Sequence, residues 1–168
     1  MIDTLAARVA ARLLTLREAR LSRSLREPAG LDFCSNDYLG LSKDPRIQEE
    51  LVAGIRREGC GSTGSRLLRG ERESFERVER RFARFKQTER SLYFSSGYLA
   101  NIAVLTTFPE AGDIVFSDER NHASLIDGIR LSHAKRVIFP HNDVSALTRL
   151  FEKHQPGGHK FIVTESLF

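Results

Sequence analysis

Along the first part of the chain, Leu5, Val9, Leu13 and Leu16 fall three or four positions apart with arginines around the rest of the wheel. That spacing predicts an amphipathic helix over residues 3–25, ending near REPAG. A short strand is expected at LDFC (31–34), followed by the loop SNDYLGLSKD. Asp44 and Pro45 then supply an N-cap and a first-turn proline for a helix bearing Ile47, Leu51 and Ile55. Phe75, Val78, Phe82 and Phe85 mark one face of a further helix, a stripe that reads as core and needs a large apolar surface to pack on.

From residue 91 the pattern changes. SLYF (91–94), DIVFSD (113–118), RVIF (136–139) and KFIVTE (160–165) are short apolar runs, separated by helical patterns over 97–108, 122–132 and 143–154. Such alternation builds βαβ units. The expected fold class is α/β: an N-terminal helix and substrate-side segment over residues 1–45, then a mostly parallel sheet flanked by helices over 46–168. There is no internal repeat or low-complexity linker. Phe168 follows directly on a strongly apolar strand, and open α/β sheets bind ligands at the carboxyl ends of their strands. The second domain is therefore expected to be incomplete, the chain being part of a longer protein.

Composition narrows the function classes. With 168 residues, 40% hydrophobic and 29% charged, the chain suits a globular domain. Its apolar runs are far shorter than a membrane span, and the N-terminus lacks the apolar block and cleavage site of a signal peptide. A cytoplasmic location without membrane contact is expected. Cys34 and Cys60 have no metal-ligand spacing and are expected to be small buried residues. The net charge of +4 rests on 21 arginines and 5 lysines, which allows an anionic partner. Nucleic acid is not expected, because no aromatic stacking motif interleaves the charges, and Glu73 and Glu76 stand four residues before Arg77 and Arg80, where they can pair.

Several stretches can carry chemistry. FSSGY (94–98) joins a strand pattern to a helix pattern through small residues, a geometry that offers backbone N–H groups and a positive helix end to an anion. It lacks the glycines and lysine of nucleotide-binding loops, and an ordinary βα turn explains it equally well. His122, after DIVFSD, is placed to face the same crevice, where its ring can stack on a planar ligand and its nitrogens reach a carboxylate. Capping its own helix is the simpler reading of His122 taken alone. His133, His141, His154 and His159 lack ligand spacing and fit surface or turn roles. Asn36 offers an amide to a carboxylate, though Asn-Asp is also plain turn chemistry. GCGSTGSR, with Gly59, Gly61 and Gly64, fits a binding loop or a connector. No hydrolytic triad or carboxylate pair has local support.

Taken together, NDYLGL, GSTGSRLLRG, FSSGYLAN and DERNHASLIDG, in that order, resemble the α-oxoamine synthases, pyridoxal-phosphate (PLP)-dependent enzymes of fold type I, from about residue 13 onward. GSTGSRLLRG and FPHND (139–143) are most similar to the members that act in biotin biosynthesis. The resemblance implies pyridoxal 5'-phosphate as cofactor, held by Ser96, Gly97 and Tyr98 at its phosphate, with His122 stacked on the pyridine ring as the catalytic and substrate-side histidine. It implies that Asn36, Arg23 and Ser65 contact substrate, and that the loop of Ser62, Ser65 and Arg66 lies near a homodimer interface. The implied reaction is decarboxylative condensation of L-alanine with pimeloyl-CoA or pimeloyl-ACP. The segment before NDYLGL is shorter than is usual in the family. The Schiff-base lysine and its companion aspartate, histidine and threonine are expected beyond residue 168, since Lys43, Lys86, Lys135, Lys153 and Lys160 match none of them, so the isolated chain is expected to be inactive. Two other readings stay open: an α-oxoamine synthase of the glycine C-acetyltransferase or 5-aminolevulinate synthase type, and a non-catalytic α/β module that binds an anion or a protein partner.

Overall fold

A computed structural model of the chain describes residues 4–27, 29–155 and 157–167. It comprises two compact units, Met1–Gly61 and Ser62–Phe168.

Among its described residues the first unit holds two α-helices and a single 3-10 turn, Leu41–Lys43. In α1 (Leu5–Glu18) the Thr4 side chain accepts a hydrogen bond from Ala7 N at 3.2 Å and caps the first turn. Residue 3, where the expected helix begins, lies outside the described residues. The helix also ends earlier than its apolar spacing predicts. Arg20 adopts the left-handed conformation (φ 55°), and Leu21 N and Arg20 N turn back to Leu16 O and Arg17 O, the double closure that terminates a helix. A glycine usually marks such a stop, and here an arginine makes it. The expected strand at LDFC does not form; Cys34 N instead bonds the Asp32 carboxylate at 2.8 Å in a local turn. Helix α2 (Pro45–Glu58) starts as expected, with Asp44 accepting from Arg46 N, and stops at Gly59, whose φ of 77° suits only a residue without a Cβ. Cys34 and Cys60, expected to be buried, are both exposed, since each sits in a loop that no apolar layer covers.

The second unit begins with a tight turn over Arg66–Gly70 and helix α3 (Glu73–Lys86). Glu76 and Arg80 pair across one turn of α3, as expected. Its apolar stripe does not form a core: Phe82 and Phe85 are exposed and line an open groove with Val78 and Arg81. Phe75, at the start of the stripe, stacks on the Tyr93 ring at 5.7 Å. SLYF is extended but not a ladder strand. Ser91 Oγ donates to Glu79 O at 2.7 Å and Tyr93 N to the Glu79 carboxylate at 2.8 Å, so α3 holds the segment that a neighbouring strand would otherwise hold.

Helix α4 (Gly97–Thr107), β1 (Ile114–Asp118), α5 (Ala123–Leu131), β2 (Lys135–Phe139), α6 (Val144–Lys153) and β3 (Lys160–Val163) follow in alternation. The three strands form a parallel sheet in the order β2-β1-β3, with Phe116 of β1 opposite Val137 and Ile162. Crossover connections are right-handed. The chain moves one way from β1 to β2 and the other way from β2 to β3, so its connecting helices fall on opposite faces. The packing agrees. Val115 joins Leu105 of α4 and Ile129 of α5 on one face, whereas Ile114 and Phe116 join Leu147, Leu150 and Phe151 of α6 on the other. With both faces covered, all five residues of β1 are buried, which is why its sequence is a continuous run rather than an alternating one. Close approach of α4 to α5 depends on Gly128, where a Cβ would stand 2.8 Å from Leu105 Cβ and 3.2 Å from Asn101 O.

Candidate functional site

In a doubly wound sheet the connections leave neighbouring strands in opposite directions where the strand order reverses, and the crevice there is the usual ligand site. In this sheet the reversal lies at β1, beside β3. The residues just after β1 close that crevice from one side: Asn121 donates Nδ2–H bonds to Val163 O at 2.8 Å and Ser117 Oγ at 3.0 Å, and His122 N donates to the Glu165 carboxylate at 2.6 Å. Asn121 Oδ1 is buried and has no hydrogen-bond partner among the described residues.

Four of the expected site residues meet at this mouth. Ser96 caps α4, its hydroxyl accepting from Leu99 N at 3.2 Å. The N–H groups of Gly97 and Tyr98 precede the first intrahelical bond of α4, which runs from Ala100 N to Ser96 O, and are free to meet an anion. A Cβ at Gly97 would meet nothing within 4 Å, so the glycine keeps the approach to those groups open. The Tyr98 ring stands edge-on to the His122 ring, with centroids 6.4 Å apart and planes at 80°. Tyr98 Oη donates to Asp127 of α5 at 2.6 Å, and that bond to a carboxylate pushes the phenol up from its ordinary value.

His122 does cap its helix: Nδ1 accepts from Ser124 N at 3.2 Å. The capping bond holds the ring beside Tyr98. Glu165, which anchors His122 N, and Asn101, which donates to Ser124 Oγ at 2.9 Å, were not singled out in the sequence. Asn101 closes the FSSGYLAN motif and Glu165 the KFIVTE run, and the packing of α4 on α5 and the pairing of β3 with β1 bring them here. Asp118 opens the DERNHASLIDG motif, and partners from farther along the chain converge on it. Its carboxylate, 1% exposed, accepts from Arg120 N, Asn142 N and His141 Nδ1. Burial pushes its carboxyl up, and these three donors outweigh it and hold the group below the ordinary carboxylate range. His141 is thus more than a turn residue, being bonded to the end of β1.

Ser65 stands at the start of the Arg66–Gly70 turn. Ser65 O closes the Arg66–Gly70 turn by accepting from Leu68, Arg69 and Gly70 N. Arg66 is committed to Glu71 (2.6 Å) and Glu79 (2.6 Å) and lies over the Phe75 ring at 5.1 Å, so it ties the GSTGSR loop to α3. The Glu79 and Glu71 bonds raise the Arg66 guanidinium above its ordinary value, and bonding to Arg66 lowers both carboxyls. Arg23 and Asn36 belong to the first unit: Arg23 is exposed in the segment after α1, and Asn36 heads a loop in which Asp37 accepts from Ser42 Oγ at 2.6 Å. That bond lowers the Asp37 carboxyl.

Known proteins share this fold. The family model for class I and II aminotransferases matches residues 28–168. The chain belongs to the class I and II aminotransferase family. Among its curated relatives, a putative 8-amino-7-oxononanoate synthase of Bacillus licheniformis is 46% identical, over 95% of this chain and 43% of that protein. The 8-amino-7-oxononanoate synthase of Geobacter sulfurreducens is 43% identical, over 95% of this chain and 44% of that protein. Among solved structures, 8-amino-7-oxononanoate synthase from Francisella tularensis is 34% identical with a TM-score of 0.69, over 82% of this chain and 37% of that one. An SPT (serine palmitoyltransferase) solved with PLP is 30% identical with a TM-score of 0.75, over 79% and 33%. This chain therefore spans less than half the length of these aminotransferase-family relatives. The expected fold, the first part of a fold type I large domain, is the one these structures share, and the resemblance to the biotin-pathway members holds in the relatives' names. No described helix is long and apolar enough to cross a membrane.

Proposed function

We propose that this chain supplies the phosphate and ring contacts of a pyridoxal 5'-phosphate site in a synthase that condenses L-alanine with a pimeloyl thioester, releasing carbon dioxide, to form 8-amino-7-oxononanoate for biotin. One observation carries the reading: the open N–H groups of α4 and the Tyr98 and His122 rings share the mouth of the strand-order reversal, with ring centroids 6.4 Å apart. The donor set fits the cofactor, since neutral N–H groups and a positive helix end suit a phosphate, and a flat imidazole suits an aromatic ring.

Pyridoxal 5'-phosphate, when bound, supplies the electron sink for chemistry at the amino acid's α-carbon. The chain's own residues bind and orient. Gly97 and Tyr98 N–H donate to the phosphate, with Ser96 as the cap that leaves them free. His122 covers the ring and keeps water from that face. Asn36 receives the substrate carboxylate, Arg23 the acyl group, and Ser65 the substrate side of the shared site in a cytoplasmic homodimer. Residues 1–45 form the substrate-side segment in this reading and 46–168 the cofactor-binding domain.

The test is carbon dioxide release by the complete protein. Release with L-alanine and a pimeloyl thioester, but not with glycine or serine, is the expected result. Preference for glycine would move the assignment to a glycine C-acetyltransferase or 5-aminolevulinate synthase type. Absence of the visible absorbance of bound cofactor would favour a non-catalytic binding module.

A further inference from the structure

Donors converge on one nitrogen of His122. Ser124 N–H, which can only donate, reaches Nδ1 at 3.2 Å, so Nδ1 presents its lone pair. Ser124 Oγ lies 2.7 Å from the same Nδ1 and receives the Asn101 amide at 2.9 Å. With the Asn101 N–H occupying one acceptor position of the hydroxyl, the hydroxyl proton points at the ring. Ser124 is 0% exposed, so no water competes for this proton. Asn101 projects from α4 and Ser124 from the first turn of α5. The same helix pair that carries Tyr98 and His122 therefore carries the chain of bonds behind the imidazole, and His122 Nε2 makes no hydrogen bond to the described residues.

We propose that Asn101 and Ser124 are positioning residues that hold His122 as the Nε2–H tautomer, so that the ring nitrogen not bonded to Ser124 is a hydrogen-bond donor. Which ring nitrogen carries the proton is set by what the other one bonds. Two donors at Nδ1 leave Nε2 as the only place for it. The consequence for ligands rests on the cofactor reading above: the ring keeps a fixed plane beside the bound cofactor and offers Nε2–H to a carboxylate-bearing amino acid. The tautomer itself does not depend on that reading.

The test uses the complete protein without cofactor, labelled with 15N-histidine, in long-range 1H–15N correlation spectra at about pH 8.5, about two units above the ordinary imidazole value. His122 is identified by its loss in His122→Gln. The expected wild-type spectrum shows Nδ1 unprotonated and Nε2 protonated as a single tautomer. Ser124→Ala, which leaves only the longer backbone donor, shifts the ring toward a tautomer mixture. Asn101→Asp does the same at unchanged side-chain shape, because a carboxylate acceptor recruits the Ser124 hydroxyl away from the ring. In cofactor titrations Ser124→Ala binds about 3- to 10-fold more weakly, the loss of one net hydrogen bond. A protonated Nδ1 in the wild type overturns the proposal without recourse to any variant, as does an unchanged single tautomer in both variants. A wild type that fails to bind cofactor yet shows the single Nε2–H tautomer supports this relay and sinks the cofactor reading.

Discussion

The two units of this chain use apolar residues in opposite ways. In the first, α1 and α2 carry clear apolar stripes and bury none of their residues, with Leu51 63% exposed. In the second, β1 buries all five of its residues, and Phe116 and Val115 are fully enclosed. The sequences are comparably apolar; the difference lies in the supply of covering layers. β1 has a strand on each side and helices on both faces, while the stripes of α1 and α2 have no such cover within their own unit. A periodic stripe therefore states what a helix is able to bury, and a complete layer decides whether it does. The α3 stripe makes the point inside the second unit, since its Phe82 and Phe85 stay exposed a short distance along the chain from a closed core.

The contrast is open to direct attack. Phe116→Ala should cost the second unit about 3–5 kcal/mol, because the neighbours from α6 cannot all close on the void. Leu51→Ala should change stability by no more than about 0.5 kcal/mol. Denaturant unfolding of both variants checks the pair, and equal costs would end the distinction between the units. Next in size, Gly128→Ala should cost about 2–3 kcal/mol by forcing a methyl group against Leu105 and prying α4 from α5. The same change should loosen the Tyr98–His122 contact and weaken cofactor binding, measured by titration of the visible absorbance.

Asp118→Asn should cost about 1–2 kcal/mol at neutral pH, since it weakens three bonds to a buried carboxylate. The folded-state carboxyl lies below its ordinary value of 3.8. Its contribution is therefore complete above that value and lost as pH falls through the lower folded-state one. Urea unfolding should show the gap between wild type and variant closing in that acid range, and a gap independent of pH would place the stabilisation elsewhere. Smallest of all, Glu76→Ala on the exposed face of α3 should cost only about 0.3–0.5 kcal/mol, an effect that salt should diminish in thermal melts.

Much of the fold is legible in the sequence. DIVFSD, RVIF and KFIVTE became strands and the helices between them formed in place, because runs of this length and composition have few other ways to bury themselves. LDFC and SLYF did not become ladder strands, since pairing depends on a neighbour that local composition cannot name. The end of α1 was invisible because an arginine, not a glycine, adopts the left-handed turn. At the site, FSSGY and His122 were legible as motifs. The bonds made by Glu165, Asn101 and Asp118 were not, even with Asn101 in FSSGYLAN and Asp118 in DERNHASLIDG, because they join residues 43, 23 and 23 positions apart in the chain.

The sequence by itself determined the local grammar: where the three ladder strands and the helices between them lie, where α2 is capped, and which motifs the chain shares with its family. Those follow from backbone geometry and side-chain periodicity within a few residues. Only the tertiary structure decided the strand order β2-β1-β3, the reversal that opens the crevice, and the bonds that fix the face His122 presents. Each of these needs chain segments brought together from afar, and the free energy that does so comes from burying β1 between layers, which no single stretch of sequence contains.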